Sequence, residues 1–285
     1  MLIWARVDFR ERQMTRIRTG VVSFLNALPL WVALREDEDF ELIPAAPSDL
    51  ADMMARGDLD IGLLPLAEAL ADDRLSFFTD IGVSADGAVE SVGLFSRVPL
   101  GRIRSVLLDR SSRTSAMLAR LLLGEAGVSA RFRAAPVEPS VVMDAEEDAV
   151  LLIGDRCLLA RREIEGREWH DLSLLWREAT GLSFVFAVWA GPTGALTAEL
   201  HSRLRRALED GRTMIPEIVS RAAGSSGLDG DFLEEYLRST IRHNFDDRSI
   251  RGMREFCRRS VAAGLLDAVA IDRLEDAIKV TGYED

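Results

Sequence analysis

The sequence predicts an α/β protein of two lobes with a ligand cleft between them and a helical C-terminal region. Three observations predict it. Short apolar, β-branched runs alternate with amphipathic stretches through the first two thirds of the chain, the pattern of βα units. That alternation pauses near Pro99 and then restarts, giving two separate α/β patterns. Beyond about residue 191 the chain reads as almost wholly helical. The expected division is an extension over 1–15, a first lobe over 16–96 completed by the helices of 190–285, and a second lobe over 97–189.

The opening stretch, MLIWARVDFRERQMTRIR, mixes charge with apolar residues, and regular structure is expected only from about Ile17. Met14 is an alternative start. RTGVV (18–22) and FELIP (40–44) read as strands, with LPLWVALRE (28–36) as a helix between them. SDLADMMARGD follows as a helix with Ser48 at its N-cap, Leu50, Met53 and Met54 on one face, and Gly57 as its stop. LDIGLLP (59–65) is a third strand and runs into a short helix, LAEALAD. This order implies a parallel sheet covered on both faces.

An apolar strand is expected over 88–95, with Pro99 at its exit. The second pattern comprises strand IRSVLLD (103–109), a helix over 114–127, strands ARFRAAP and DAVLLIGD (148–155), and the helix RCLLARREI. LSFVFAVWAG (182–191) is a further long strand, followed by helices near 196–209, 213–223, 230–242, 247–263 and 270–279. The strands at 88–95 and 182–190 are the candidate crossings between lobes. Two crossings create a cleft, and in open α/β sheets ligands bind beyond the carboxyl ends of strands.

Composition narrows the partners. At 285 residues, 48% hydrophobic and 29% charged, the chain is long enough for one large or two medium cores. A net charge of −12 argues against nucleic acid, which needs a basic face, but leaves room for a small anion at a local cluster of donors. No apolar run of roughly 18 residues suggests a membrane span, and no signal peptide is read, so a cytoplasmic protein is expected. Cys157 and Cys257 lack any ligand-like spacing and read as buried small apolar residues, not as a disulfide or zinc site. No metal or cofactor is expected, and oligomeric state is not encoded in any motif.

Four strand ends carry groups suited to an anion. The first is Ser23-Phe24-Leu25-Asn26, where two large apolar side chains sit beside a hydroxyl and an amide in a strand-to-helix turn. Taken alone, Asn26 reads as an N-cap. The second is ESVGLFS, where Ser91 and Ser96 flank an apolar strand; such hydroxyls more often bond the local backbone. The third is strongest: Arg110-Ser111-Ser112-Arg113-Thr114-Ser115 opens a helix, whose free N–H groups and dipole suit phosphate or carboxylate. One cap needs one hydroxyl, and this turn has four. The fourth is LLIGDRCLL, where Gly154 permits close approach and Asp155 serves equally well as a helix cap or a ligand contact. No glycine-rich phosphate loop, nucleophile elbow or HExxH appears. His170, His201 and His243 read as surface residues.

GVVSFLNALPL, SVGLFSRVPL, VLLDRSSRTS, LLIGDRCL and GLSFVFAVWAG together closely resemble the chorismate dehydratases of the futalosine route to menaquinone. The resemblance spans about residues 16–280, with its blocks in the expected order. It implies the type II periplasmic-binding-protein-like fold and a cytoplasmic hydro-lyase that converts chorismate to 3-[(1-carboxyvinyl)oxy]benzoate. It also implies that the substrate's own enolpyruvyl carboxylate takes the ring proton, with Asn26 and Ser91 matching the family's essential Asn and Ser. The two carboxylates would then meet Ser111-Ser112-Arg113-Thr114 and a site near Asn26 and Ser91, with Phe24, Leu25 and Leu28 walling the ring beside Ser23. Two rivals remain: a binding or sensing protein for an aromatic carboxylate, and the cyclic futalosine lyase of the same pathway, which would need a histidine at the cleft.

Overall fold

A computed structural model describes residues 16–281, so the extension over 1–15 and the choice of start at Met14 lie outside the described residues. Two mixed sheets form the frame. The first has the order β11-β4-β10-β3-β1-β2 and the second β7-β6-β8-β5-β9. In the first, β1 (Ile17–Val22) pairs in parallel with β2 (Phe40–Ala45) and β3 (Ile61–Pro65). The expected parallel unit is present, and β4 (Leu75–Ala85), β10 (Phe184–Pro192) and β11 (Ile241–Asn244) extend it in antiparallel fashion.

The connections between β1 and β4 are short. The expected helix at 28–36 is broken into a 3-10 turn at Leu25–Ala27, α1 (Leu28–Trp31) and a second 3-10 turn at Val32–Glu36. Trp31 leaves helical geometry, with φ −142°, as its indole N–H donates to the Val22 carbonyl at 3.0 Å. Helix α2 (Pro47–Arg56) is capped by Ala46 and not by Ser48. Pro47 takes the first helical position, where its missing N–H costs nothing, and this moves the cap back. Gly57 ends α2 at φ +78°, as expected. Helix α3 (Leu66–Ala71) leads into β4.

In the second sheet β6 (Ser105–Asp109) runs parallel to β7 (Arg131–Ala135) and β8 (Ala149–Ile153), while β5 (Val92–Ser96) runs antiparallel both to β8 and to β9 (Glu168–Asp171). Helices α4 (Arg113–Glu125), α5 (Pro139–Asp144), α6 (Gly154–Glu163) and α7 (Leu172–Thr180) cover it. Alternate residues divide its two faces: Val106, Leu108, Leu151 and Ile153 join the main core, whereas Leu107, Val150 and Leu152 join a smaller cluster with Phe95 and Val142. The strand expected over 88–95 begins only at Val92 and lies in the second sheet. The links between sheets are therefore the short segments 86–91 and 181–183, not the strands themselves.

The C-terminal region supplies α8 (Ala198–Thr213), α9 (Ile215–Ser226), α10 (Gly230–Glu235), α11 (Asp247–Ala262) and α12 (Val269–Thr281). The helix expected over 230–242 stops at Glu235, passes through a π-helical turn at Tyr236–Thr240 and becomes β11. Alternate burial of Ile241, His243 and Phe245 holds that strand on β4. Arg273 on α12 donates to the carbonyls of Ala69, Leu70 and Leu75, tying this region to the α3–β4 corner. Cys157 and Cys257 are free and buried.

Candidate functional site

The end of β1, the starts of α4 and α6, and strands β5 and β10 converge on a cavity of about 60 Å³ between the sheets. Its polar lining is Asn26, Ser112, Thr114 and Ser115; its apolar walls include Phe24, Leu63, Val92, Ile153 and Phe186. Among the described residues no arginine, lysine or histidine lines it. The donors are neutral hydroxyls, an amide and the first turn of α4, which presents unpaired N–H groups and the positive end of the helix dipole.

Asn26 does not cap a helix. It lies within the 3-10 turn, the caps are Phe24 and Ala27, and neither makes a side-chain cap bond. The Asn26 amide is left for other partners, and the residue lines the cavity. The Asn26 carbonyl accepts from His243 Nε2 at 2.7 Å. His243 is only 1% exposed, contrary to the surface reading, and burial pushes it down to about 4, so the neutral ring donates here. His170 and His201 are partly exposed beside Glu168 and Asp80.

Ser91 is fully buried just before β5, and its Oγ accepts from the Tyr236 hydroxyl at 2.8 Å. Its carbonyl accepts from the Gly154 N–H at 2.8 Å, which fixes it against the rim of the cavity. The preceding residue, Glu90, has φ +63°, a left-handed geometry unusual for a side chain of this size. Asp171 holds it there by accepting from the Val89 and Glu90 N–H groups at 3.0 and 2.8 Å. Ser96 bonds the Val98 carbonyl at 2.6 Å, the local role expected of it.

The serine-rich turn divides by direction. Ser112 caps α4 by accepting from Ser115 N–H at 3.2 Å, and Thr114 Oγ1 accepts from the Ala67 N–H across the cleft at 3.1 Å. Ser111 turns away: its N–H and hydroxyl both donate to Asp109, at 2.9 and 2.7 Å. Burial raises the Asp109 carboxyl, opposed by those Ser111 bonds and by Arg156. Arg113 also turns away, pairing with Glu68 at 2.6 Å and with Asp52. Its charge is committed to first-lobe carboxylates.

Gly154 lines the cavity at φ +64°, and a Cβ there would lie 2.8 Å from the Phe24 ring. Glycine is needed for both reasons. Asp155 is neither cap nor cavity lining; it accepts from the Leu25 N–H at 2.9 Å, across the cleft. Ser23, Leu25 and Leu28 line a second groove of about 410 Å³ with Asp155, Arg35, Glu36, Glu217 and Arg221. Three carboxylates against two guanidinium groups make that larger groove a poor host for a dianion. The smaller cavity is the better candidate.

Tyr236 and the buried place of His243 are not legible in the sequence: Tyr236 sits in a stretch that reads as a helix over 230–242 and His243 just beyond it, where no strand end marks them.

The family model described as menaquinone biosynthesis matches residues 17–262. A Thermus thermophilus protein named chorismate dehydratase is 31% identical over 258 residues, covering 83% of this chain and 92% of that protein. Among solved structures, a structural-genomics protein of Archaeoglobus fulgidus superposes with TM-score 0.72 at 17% identity, over 90% of this chain and 100% of that one. A Candida albicans gene product described as having the generic periplasmic binding protein fold gives TM-score 0.64 at 10% identity, over 93% and 95% of the two chains. These two likenesses establish a periplasmic-binding-protein-like fold and nothing about the ligand.

Proposed function

This chain belongs to the menaquinone biosynthesis family, and from that membership we propose that it is a chorismate dehydratase, a carbon–oxygen lyase yielding 3-[(1-carboxyvinyl)oxy]benzoate. The observation that supports this best is the character of the inter-sheet cavity: neutral donors at Asn26 and the start of α4, aromatic walls at Phe24 and Phe186, and no acid or base among its lining. Such a site suits a small dicarboxylate that brings its own base.

In the reaction the C3–H bond breaks, its electron pair completes the aromatic ring, and the C4–O bond breaks so that hydroxide leaves and departs as water with the proton. Aromatisation supplies the driving force. The protein's task is then orientation: a substrate carboxylate held beside C3–H gains through proximity what a tuned side chain would otherwise provide. Donors at Asn26, Ser91 and the α4 start would hold the carboxylates and stabilise the negative charge developing on the oxygen that leaves C4. Phe24 and Phe186 would flank the ring. The cleft must open to admit the substrate, because about 60 Å³ is far below the volume of ordinary ligand pockets.

Purified protein incubated with chorismate alone, without added metal or nucleotide, is expected to consume the diene absorbance and release the enolpyruvyl benzoate, read by mass analysis. Unchanged chorismate would return the chain to a binding or sensing role.

A further inference from the structure

Among the groups that the reaction itself does not call upon, one meets Ser91 directly. Tyr236 is 1% exposed and sits on the first residue of the π-helical turn at 236–240. Turns of that type are uncommon and frequently mark functional positions. Its ring stacks on Phe232, with centroids 6.3 Å apart, so the phenol has a fixed bearing. Its hydroxyl donates to Ser91 Oγ at 2.8 Å, and Ser91 lies in the link into β5.

We propose that Tyr236 is a positioning residue that orients Ser91 and so sets where the Ser91 hydroxyl can donate. The phenol donates its single proton to Ser91, and Ser91 keeps one proton to give onward. With one lone pair occupied by Tyr236, the Ser91 O–H is confined to a narrow range of rotations. The left-handed backbone at Glu90, held by Asp171, fixes the other end of the same geometry. A serine oriented from both sides acts without the reorganisation that a free hydroxyl rotor would require. Opening of the cleft would separate Tyr236 from Ser91 and disarm it, which couples orientation to closure.

This inference rests on the dehydratase reading, so its test has two arms. The chain has two tyrosines, Tyr236 and Tyr283, which makes ring-carbon labelling simple to read. In protein labelled with 13C at tyrosine Cζ, one resonance is expected to move in Ser91→Ala and the other to stay. In the kinetic arm, Tyr236→Phe keeps the ring and removes the hydroxyl; kcat for chorismate is expected to fall at least about tenfold, roughly what one misdirected hydrogen bond is worth, with KM within about twofold. A merely structural tyrosine would lower stability and leave kcat per folded molecule in place. Wild-type kcat in Tyr236→Phe overturns the inference whatever the spectrum shows. So does a spectrum that Ser91→Ala leaves unmoved, an outcome that holds even if Tyr236→Phe does not fold. If the wild-type protein leaves chorismate untouched, the dehydratase reading fails and the orienting role falls with it, while the labelled resonance still reports whether the hydrogen bond exists.

Discussion

Asn26 shows how far a single residue can be read from sequence. Its place after a strand marks it as polar equipment at a strand end, but the capping role that residue type suggests is absent: a 3-10 turn surrounds it and the residue lines the cavity. Asn26→Asp would place a carboxylate beside a bound dianion. At about 4 Å and an effective dielectric near 20, like charges repel by roughly 4 kcal/mol, so kcat/KM for chorismate is expected to fall by at least about a hundredfold while the melting temperature shifts by only a few degrees. A steady-state assay beside a thermal melt checks this, and a wild-type rate would remove Asn26 from the site. Beneath it, His243 makes stability depend on pH. Its folded value, about 4, lies below the ordinary histidine value, so the unfolded chain binds a proton that the native state refuses. That contribution is intact above about pH 6.5 and is lost as pH falls toward 4, a change of roughly 3 kcal/mol. Asp109, Asp155 and Asp171, raised by burial, act in the opposite sense because the native state protonates first. They are common to wild type and His243→Gln, whose amide keeps a donor for the Asn26 carbonyl, and so cancel in the difference. Urea unfolding of both proteins from pH 4 to 7 should show the wild type losing ground as pH falls; parallel curves would mean that His243 titrates normally.

Between residues and whole lobes, elements were legible where their residues pack one way and obscure where they pack two ways. Strand β1, helix α2 with Gly57 and helix α4 follow their apolar spacing. Strand β4, the longest, escapes sequence reading because Thr79, Asp80, Gly82 and Ser84 interrupt it like a turn. Each has a tertiary reason: Asp80 meets His201 and Arg205 of α8, Ser84 bonds the Arg242 carbonyl, and a Cβ at Gly82 would collide with the Ala187 backbone of β10. Helix α7 is different. Its Asp171 cap and Gly181 stop at φ +72° are signals present in the sequence, unlike the pairing that makes β9 and β11 strands. Asp171 also shows one element serving another, since besides capping α7 through Ser173 and Leu174 N–H it holds the Val89–Glu90 link that precedes Ser91. Asp171→Asn turns one acceptor oxygen into a donor facing N–H groups. The expected loss is roughly 1.5–3 kcal/mol of unfolding free energy, measured in urea, accompanied by lower turnover as Ser91 shifts. Unchanged stability would mean that the link is held by the β5 pairing alone.

At the scale of the whole molecule, the polar contacts across the cleft include Leu25 to Asp155, Ser48 N–H to the Ser111 carbonyl at 3.2 Å, Ala67 to Thr114, Tyr236 to Ser91, and the Arg113 pairs with Glu68 and Asp52, while Trp176 packs on Phe256 and Arg259 pairs with Glu125 elsewhere between the lobes. One apolar core runs through both sheets, so any parting of the lobes is a hinge opening at the polar cleft side and not a separation of two independent cores. The sequence places Arg113 among anion donors because a guanidinium at a helix start ordinarily serves that purpose; only the approach of Glu68 on α3 and Asp52 on α2 reveals a latch. The two roles differ in size. The side chain of Arg113 is 36% exposed and that of Asp52 is 57% exposed, so water screens the pairs and together they favour closure by only about 0.5–1 kcal/mol. As a latch, Arg113→Ala therefore raises KM for chorismate about two- to fivefold and leaves kcat near wild type, because once closed the site is intact. Small-angle scattering of the free variant should show a larger radius of gyration than the wild type, with the two converging when product saturates the site. As a direct ligand of a substrate carboxylate, its removal would instead strip a charge-assisted bond and cost kcat/KM roughly a hundredfold with no change in the free protein's dimensions. The first result is the one expected from the pairing geometry, and the second would mean that Arg113 swings from Glu68 to the substrate as the cleft closes.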